Sequence, residues 1–401
     1  RGPRGPRGPR GPRGPRGDGP RHDDAAALAE RGALALALKV LAFLRHTHPS
    51  VLGLYRPCPP SPILHAPSGG GVSWSLLDAQ RRQLSALDNH GAHVLLVGCN
   101  GVPSRVYEPL LDRVRETSGA TTDTAEVYPY TNLKEAPDWH RSIEAVITAA
   151  EKARAAAPGR PLVGFGHSLG GALMYAASAR VPGLFDSLIL FDSPMFNPWK
   201  RAAMLVLQRL KLMEFVPLVS GARRRRARFE THEEAVTYVL SRGLYQTFHP
   251  EVLGTFMDEG LEEEREGGGV RFVYSPDAEA FYYITTPTDL HPLLNPTAIP
   301  PRARQPTPWI GQYEQSHCHG TYVWSRQHRV SSEADVRYLM STLKGPGGTP
   351  FEFREITEGH FLPLQDPDGV SEMIVSLIES HHGRGGRRPP HDPPGVQRMA
   401  A

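Results

Sequence analysis

The stretch Pro161-Leu162-Val163-Gly164-Phe165-Gly166-His167-Ser168-Leu169-Gly170-Gly171-Ala172-Leu173-Met174-Tyr175-Ala176-Ala177 decides how this chain folds. Its first part is a short apolar run, the pattern of a buried strand. Its last part is rich in alanine and leucine, the pattern of a helix. Between them stands Gly-x-Ser-x-Gly, residues 166–170. A serine on a tight strand-to-helix turn presents its hydroxyl at the C-terminal edge of the strand. Gly166 and Gly170 flank a backbone too crowded for side chains. The helix N-terminus behind the serine offers free N–H groups and partial positive charge, which suit a developing oxyanion. Ser168 is therefore the candidate nucleophile. His167, at the variable position before it, is read as a packing residue.

Alternation continues on both sides of this turn. Val94 to Val97 reads as a buried strand, followed by the turn Gly98-Cys99-Asn100-Gly101 and a helix over Pro103 to Glu116. Ala125 to Tyr128 reads as a strand. Trp139 to Ala157 is a helix with Ile143, Val146, Ile147 and Ala150 on one face. Ser187 to Phe191 is a strand ending at Asp192. After residue 315 come a strand at Thr321 to Trp324, a helix at Ser332 to Leu343, a strand at Phe351 to Ile356 and a helix at Asp368 to Glu379. Strands and helices in this rhythm imply an α/β fold with a doubly wound, mostly parallel sheet covered on both faces. Residues 194–315 break the rhythm with amphipathic helical patterns at Ala202 to Phe215 and Glu233 to Arg242, as expected of a helical cap inserted above the sheet's C-terminal edge.

The expected organisation is a low-complexity Arg-Gly-Pro tail, a helix at Asp23 to Leu44 and a linker over 1–71; a core over 72–193 and 316–382; the cap over 194–315; and a disordered tail over 383–401. About six Arg-Gly-Pro triplets are too few for a stable collagen triple helix.

A serine hydroxyl needs a base. Among 18 histidines, His360 follows the last core strand, in Gly359-His360-Phe361-Leu362-Pro363-Leu364. In a doubly wound sheet that loop lies on the same edge as Ser168, so His360 is the candidate base. An oxyanion hole needs two backbone donors: the N–H of Leu169 and one from the loop after the early strand, Asn100 or Gly101.

These three motifs together resemble the α/β-hydrolase fold superfamily, in its branch of capped serine hydrolases, over roughly residues 72–382. Similar relatives also carry a Trp and a helix before the serine turn, as at Trp139. Their caps can resemble Arg223 to Phe229 and Ser275 to Ala280. The resemblance implies an acid after the strand Thr321 to Trp324, but this chain has Ser325-Arg326-Gln327-His328-Arg329-Val330 there, with His328 where the acid is usual. Three explanations stand: Asp192, which keeps the chain order Ser, Asp, His; Glu333 or Asp335 from the following helix; or no acid at all. Asp192 is the favoured one.

Composition narrows the function classes. A net charge of +3 gives no global field for nucleic acid or a membrane surface, so no nucleic-acid partner is expected. No run reaches the roughly 18 apolar residues of a membrane span. Cys58, Cys99 and Cys318 are scattered, odd in number and without metal-ligand spacing, which favours a reducing compartment. Cys99 is read as a small buried residue. The chain begins with Arg1, which leaves targeting open, and oligomeric state is not legible. The Arg223 to Arg228 run is either a solvated cap face or a site for an anionic substrate, phosphate or membrane surface.

The expectation is a serine-dependent hydrolase acting on a small-molecule carboxylic ester or related acyl compound, with no metal and no organic cofactor. The rivals are a carbon–carbon bond hydrolase or lyase on the same scaffold, and a catalytically silent ligand-binding protein. A serine at the turn disfavours haloalkane- and epoxide-type chemistry, which uses a carboxylate nucleophile.

Overall fold

The computed structural model describes residues 91–127, 139–264, 268–285, 318–327, 330–345, 348–382 and 396–399. The expected Arg-Gly-Pro tail, the helix at 23–44, the linker, the start of the core at Val72 and His328 lie outside them.

Among the described residues seven strands form the central sheet: β1 (His93–Val97), β2 (Thr121–Thr124), β3 (Leu162–His167), β4 (Ser187–Phe191), β8 (His319–Ser325), β9 (Glu352–Ile356) and β10 (Val396–Arg398). Their order is β2-β1-β3-β4-β8-β9-β10. The first six are parallel, with register such as Leu96 opposite Phe165 and Leu190 opposite Tyr322. Alternation along each strand sorts the core into two layers. Val94, Leu96, Phe165, Ile189 and Phe191 pack with α1 (Glu108–Ser118) and α11 (Pro367–His382). Leu95, Val97, Leu188 and Leu190 pack with α2 (Trp139–Ala156), α3 (Leu169–Arg180) and α9 (Glu333–Thr342). Strand order reverses between β1 and β3, so the loops leaving these two strands diverge from a common point, the crevice where open α/β sheets place their sites.

Between β4 and β8 the chain forms α4 (Pro198–Arg209), α5 (Pro217–Arg223), α6 (His232–Leu240), α7 (Pro250–Glu259) and α8 (Pro276–Ile284). It also forms a small antiparallel sheet of β5 (Arg228–Phe229), β6 (Leu261–Glu263) and β7 (Val270–Phe272). Strands of two and three residues carry too little periodicity to be seen in the sequence. This segment is bonded to the core. Trp139 Nε1 donates to Thr285 Oγ1 at 3.0 Å, Ser142 and Tyr282 share a 2.7 Å hydrogen bond, and Tyr274 donates its hydroxyl to Glu126.

Two expectations need correction. The strand expected at Ala125 to Tyr128 lies earlier, at Thr121–Thr124, because an edge strand with one neighbour and alternate exposure can be built from threonines rather than an apolar run. The C-terminal tail, expected to be disordered throughout 383–401, includes β10, which pairs antiparallel with β9 (Val396 opposite Ile356, Arg398 opposite Arg354). The open backbone edge of β9 accepts a strand without demanding an apolar signature from it. Among the described residues no helix is long and apolar enough to cross a membrane.

Candidate active site

The turn between β3 and α3 has the strain its sequence implies. Ser168 sits at φ 56° and ψ −121°, a left-handed conformation that a residue with a Cβ rarely adopts. Two backbone hydrogen bonds hold it there. Its N–H donates to Phe191 O at 2.8 Å, and its own carbonyl accepts from Gly171 N at 3.0 Å. The flanking glycines are required by close approach. A Cβ on Gly166 would stand 2.4 Å from Gly171 Cα, and one on Gly170 would stand 2.2 Å from Val97 O and 2.5 Å from Gly98 O. Helix α3 is thus pressed against the end of β1, and its first N–H groups, which have no intrahelical acceptor, face the same edge as Ser168.

His360, in the loop after β9, is 4% exposed and donates Nδ1–H to Asp192 Oδ2 at 2.7 Å. Asp192, fully buried at the end of β4, also accepts from Val330 N at 3.3 Å. It too has a positive φ, 40°. Of the three non-glycine residues with positive φ in the described chain, two are thus Ser168 and Asp192, at the C-terminal ends of neighbouring strands. Backbone strain held in place by surrounding structure is typical of functional sites. Neither residue of the α9 alternative meets His360. Glu333 pairs with Arg337 at 2.7 Å. Asp335 caps its own helix through Ser332, accepts from Asn197 N at 2.8 Å and faces Lys200 at 3.3 Å. These donors hold its carboxyl below the usual range despite burial.

Among the described residues no hydrogen bond joins Ser168 to His360. The two motifs meet through His167. Its ring centroid lies 4.9 Å from that of His360, and its Nε2 is 2.8 Å from the His360 carbonyl. His167 is fully buried, and burial together with the neighbouring His360 holds its pKa well below 6.5, so it is neutral.

The loop after β1 is tethered from beneath. Gly98 N–H donates to Ser104 Oγ at 3.0 Å, Cys99 N–H to Tyr107 Oη at 3.1 Å, and Val102 N–H to Cys99 O at 3.3 Å. That occupies three of the five N–H groups in 98–102 and leaves those of Asn100 and Gly101. Burial pushes the Cys99 thiol up to about 12, an inert state. Gly101 has φ 82°, and a Cβ there would come 3.1 Å from the Glu279 carboxyl carbon. Glu279, on α8, is 7% exposed and paired with Arg225 at 2.8 Å; its carbonyl accepts from Asn100 Nδ2 at 2.9 Å. The sequence showed both residues only inside longer segments, Glu279 within Ser275 to Ala280, and gave no sign that they pair. Arg225 was visible only as one of a run, and Arg223, Arg226 and Arg228 of that run pair with Glu214 and Asp277, Glu234, and Glu264. Among the described residues no cluster of three or more His, Cys, Asp or Glu side chains could hold a metal ion.

The fold and this edge define the class: an α/β sheet whose third strand turns sharply through a serine into a helix. Residues 63–373 match the alpha/beta hydrolase family, and the chain belongs to that family. Among curated proteins it is similar to two abhydrolase domain-containing proteins of Alternaria alternata, ACTT2-1 (24% identical over 262 residues) and AFT2-1 (25% over 240). Each match spans 55% of this chain and 84% of the relative. Among solved structures it resembles the peroxisomal α/β-hydrolase Lpx1 of Saccharomyces cerevisiae. The TM-score is 0.52 at 14% identity, covering 77% of this chain and 82% of that one, a likeness of fold alone.

Proposed function

We propose that this protein is a serine hydrolase acting on a small-molecule carboxylic ester or related acyl compound, with the segment between β4 and β8 serving as its cap. The observation that carries the reading is the 2.7 Å bond from His360 to Asp192 beside a serine held at positive φ. Ser168 Oγ attacks the acyl carbon and gives its proton to His360 Nε2. Asp192 fixes the tautomer in which Nε2 is bare and stabilises the imidazolium that forms. His360 then delivers the proton to the leaving group, and the acyl-enzyme is opened by water that His360 activates in the same way. The oxyanion is held by the N–H of Leu169 and by that of Asn100 or Gly101, the pair left by the tethering of Gly98, Cys99 and Val102.

The silent ligand-binding alternative draws on the lack of an acid at 325–330; the Asp192–His360 contact favours the enzyme reading over it. The test is covalent labelling by a fluorophosphonate probe. Labelling of the wild type that disappears in Ser168→Ala is expected. A folded wild type that takes up no label would overturn the proposal.

A further inference from the structure

One buried side chain bonds the loops that carry two different parts of the proposed machinery, and its hydrogen-bond roles admit a single assignment. The His360 carbonyl can only accept, so the proton of neutral His167 is on Nε2, 2.8 Å away. His167 Nδ1 is then a bare acceptor and takes the Tyr107 hydroxyl proton at 2.6 Å. The Tyr107 oxygen, having donated, accepts the Cys99 N–H at 3.1 Å. The chain Cys99 N–H to Tyr107 to His167 to the His360 carbonyl therefore runs from the loop beside Asn100 and Gly101, under the serine turn, to the loop that carries the base. Tyr107 and His167 are both fully buried, and edge-on contacts of the His167 ring with Tyr107 (5.8 Å), Phe191 (5.6 Å) and Phe361 (6.3 Å) fix its plane.

We propose that His167 and Tyr107 are positioning residues, which hold the oxyanion loop and the His360 loop in register about Ser168. The inference rests on the serine-hydrolase reading and deepens it. A packing role alone requires only a side chain of the right volume. The role proposed here requires a donor at one end of residue 167, an acceptor at the other, and a hydroxyl at 107. A small error in either loop misplaces an oxyanion donor or the base at the transition state while leaving ground-state binding intact.

The experiment is saturation kinetics of fluorophosphonate labelling on Tyr107→Phe, His167→Gln and His167→Leu, with melting temperatures taken on the same samples. Glutamine can both donate and accept; leucine can do neither. We expect Tyr107→Phe and His167→Leu to lose about tenfold or more in maximal labelling rate, about one lost buried hydrogen bond, with the half-saturating probe concentration within about twofold of wild type. His167→Gln should recover at least part of that rate. Equal maximal rates for folded His167→Leu and His167→Gln, or a wild-type rate in folded Tyr107→Phe, would overturn the proposal. If one variant does not fold, the other position decides by the same criterion. A wild type that is not labelled sinks the serine-hydrolase reading itself, and this inference with it.

Discussion

Two residues hold strained backbone at the edge of the sheet, and each does so for its own side chain. Ser168 at φ 56° lifts its hydroxyl off the strand end; Asp192 at φ 40° points its carboxylate at His360 rather than along β4. Asp192 Oδ2 accepts hydrogen bonds from both His360 Nδ1–H and Val330 N–H. In Asp192→Asn the imidazole is free to adopt the wrong tautomer, and the loss expected in labelling rate is about a thousandfold or more with the fold retained. Melting temperature and labelling rate on one preparation check both halves. Asp192 was legible in the sequence only as one of three explanations, because a carboxylate at a strand end followed by Ser193-Pro194 is also an ordinary turn. Its distance to a histidine far along the chain separated these explanations, and distance across the fold is not written in spacing.

At the scale of elements, two contacts bind the site to its frame. Helix α3 approaches β1 so closely that Gly170→Ala would place a methyl 2.2 Å from Val97 O, a backbone atom that cannot swing aside. Displacing the helix or the strand end is expected to cost about 3 kcal/mol or more, read as a loss of chemical-denaturation stability together with loss of labelling. The second contact is the Arg225–Glu279 pair, which seats α8 on the loop of Asn100 and Gly101. Arg225→Met leaves a buried carboxylate without its main counter-charge and should destabilise by about 3 kcal/mol. Adding Glu279→Gln should restore much of that loss, since removing both charges is cheaper than stranding one. A double-mutant cycle by denaturation measures it, and simple additivity of the two changes would refute the coupling.

Over the whole molecule, two buried histidines, His93 and His167, and two half-buried ones, His381 and His382, set the response to acid. Burial, aided by His360, depresses His167; burial, aided by His382, His319 and Arg354, lowers His381 to about 4; burial also lowers His382 and His93. In each case the unfolded chain takes up a proton near pH 6.5 that the folded chain refuses. The stability these groups contribute is therefore complete above about pH 6.5 and is lost as pH falls toward 4. Asp335, held below its ordinary value of 3.8, acts in the same direction only at lower pH. The melting temperature should fall steadily between pH 7 and 5, and His381→Gln should flatten that fall; a flat wild-type profile would contradict the desolvation of these rings.

The sequence by itself determined the buried parallel strands of the sheet, the serine turn and the loop that carries His360. Buried parallel strands must be apolar on both faces, a sharp strand-to-helix turn must have glycine where backbones touch, and a loop after the last core strand must lie on the edge where that turn is. These are local demands, and they leave local marks. Tertiary structure decided the rest. It chose Asp192 over Glu333 and Asp335 as the partner of His360. It gave His167, packed among aromatic rings as expected, a hydrogen-bond partner at each ring nitrogen, drew Arg225 out of a charged run to meet Glu279, and added β10 to the edge of β9. Each is a pairing of groups far apart in the chain, governed by where the sheet register and the helices place them. A residue type at one position does not reveal which distant partner it will face.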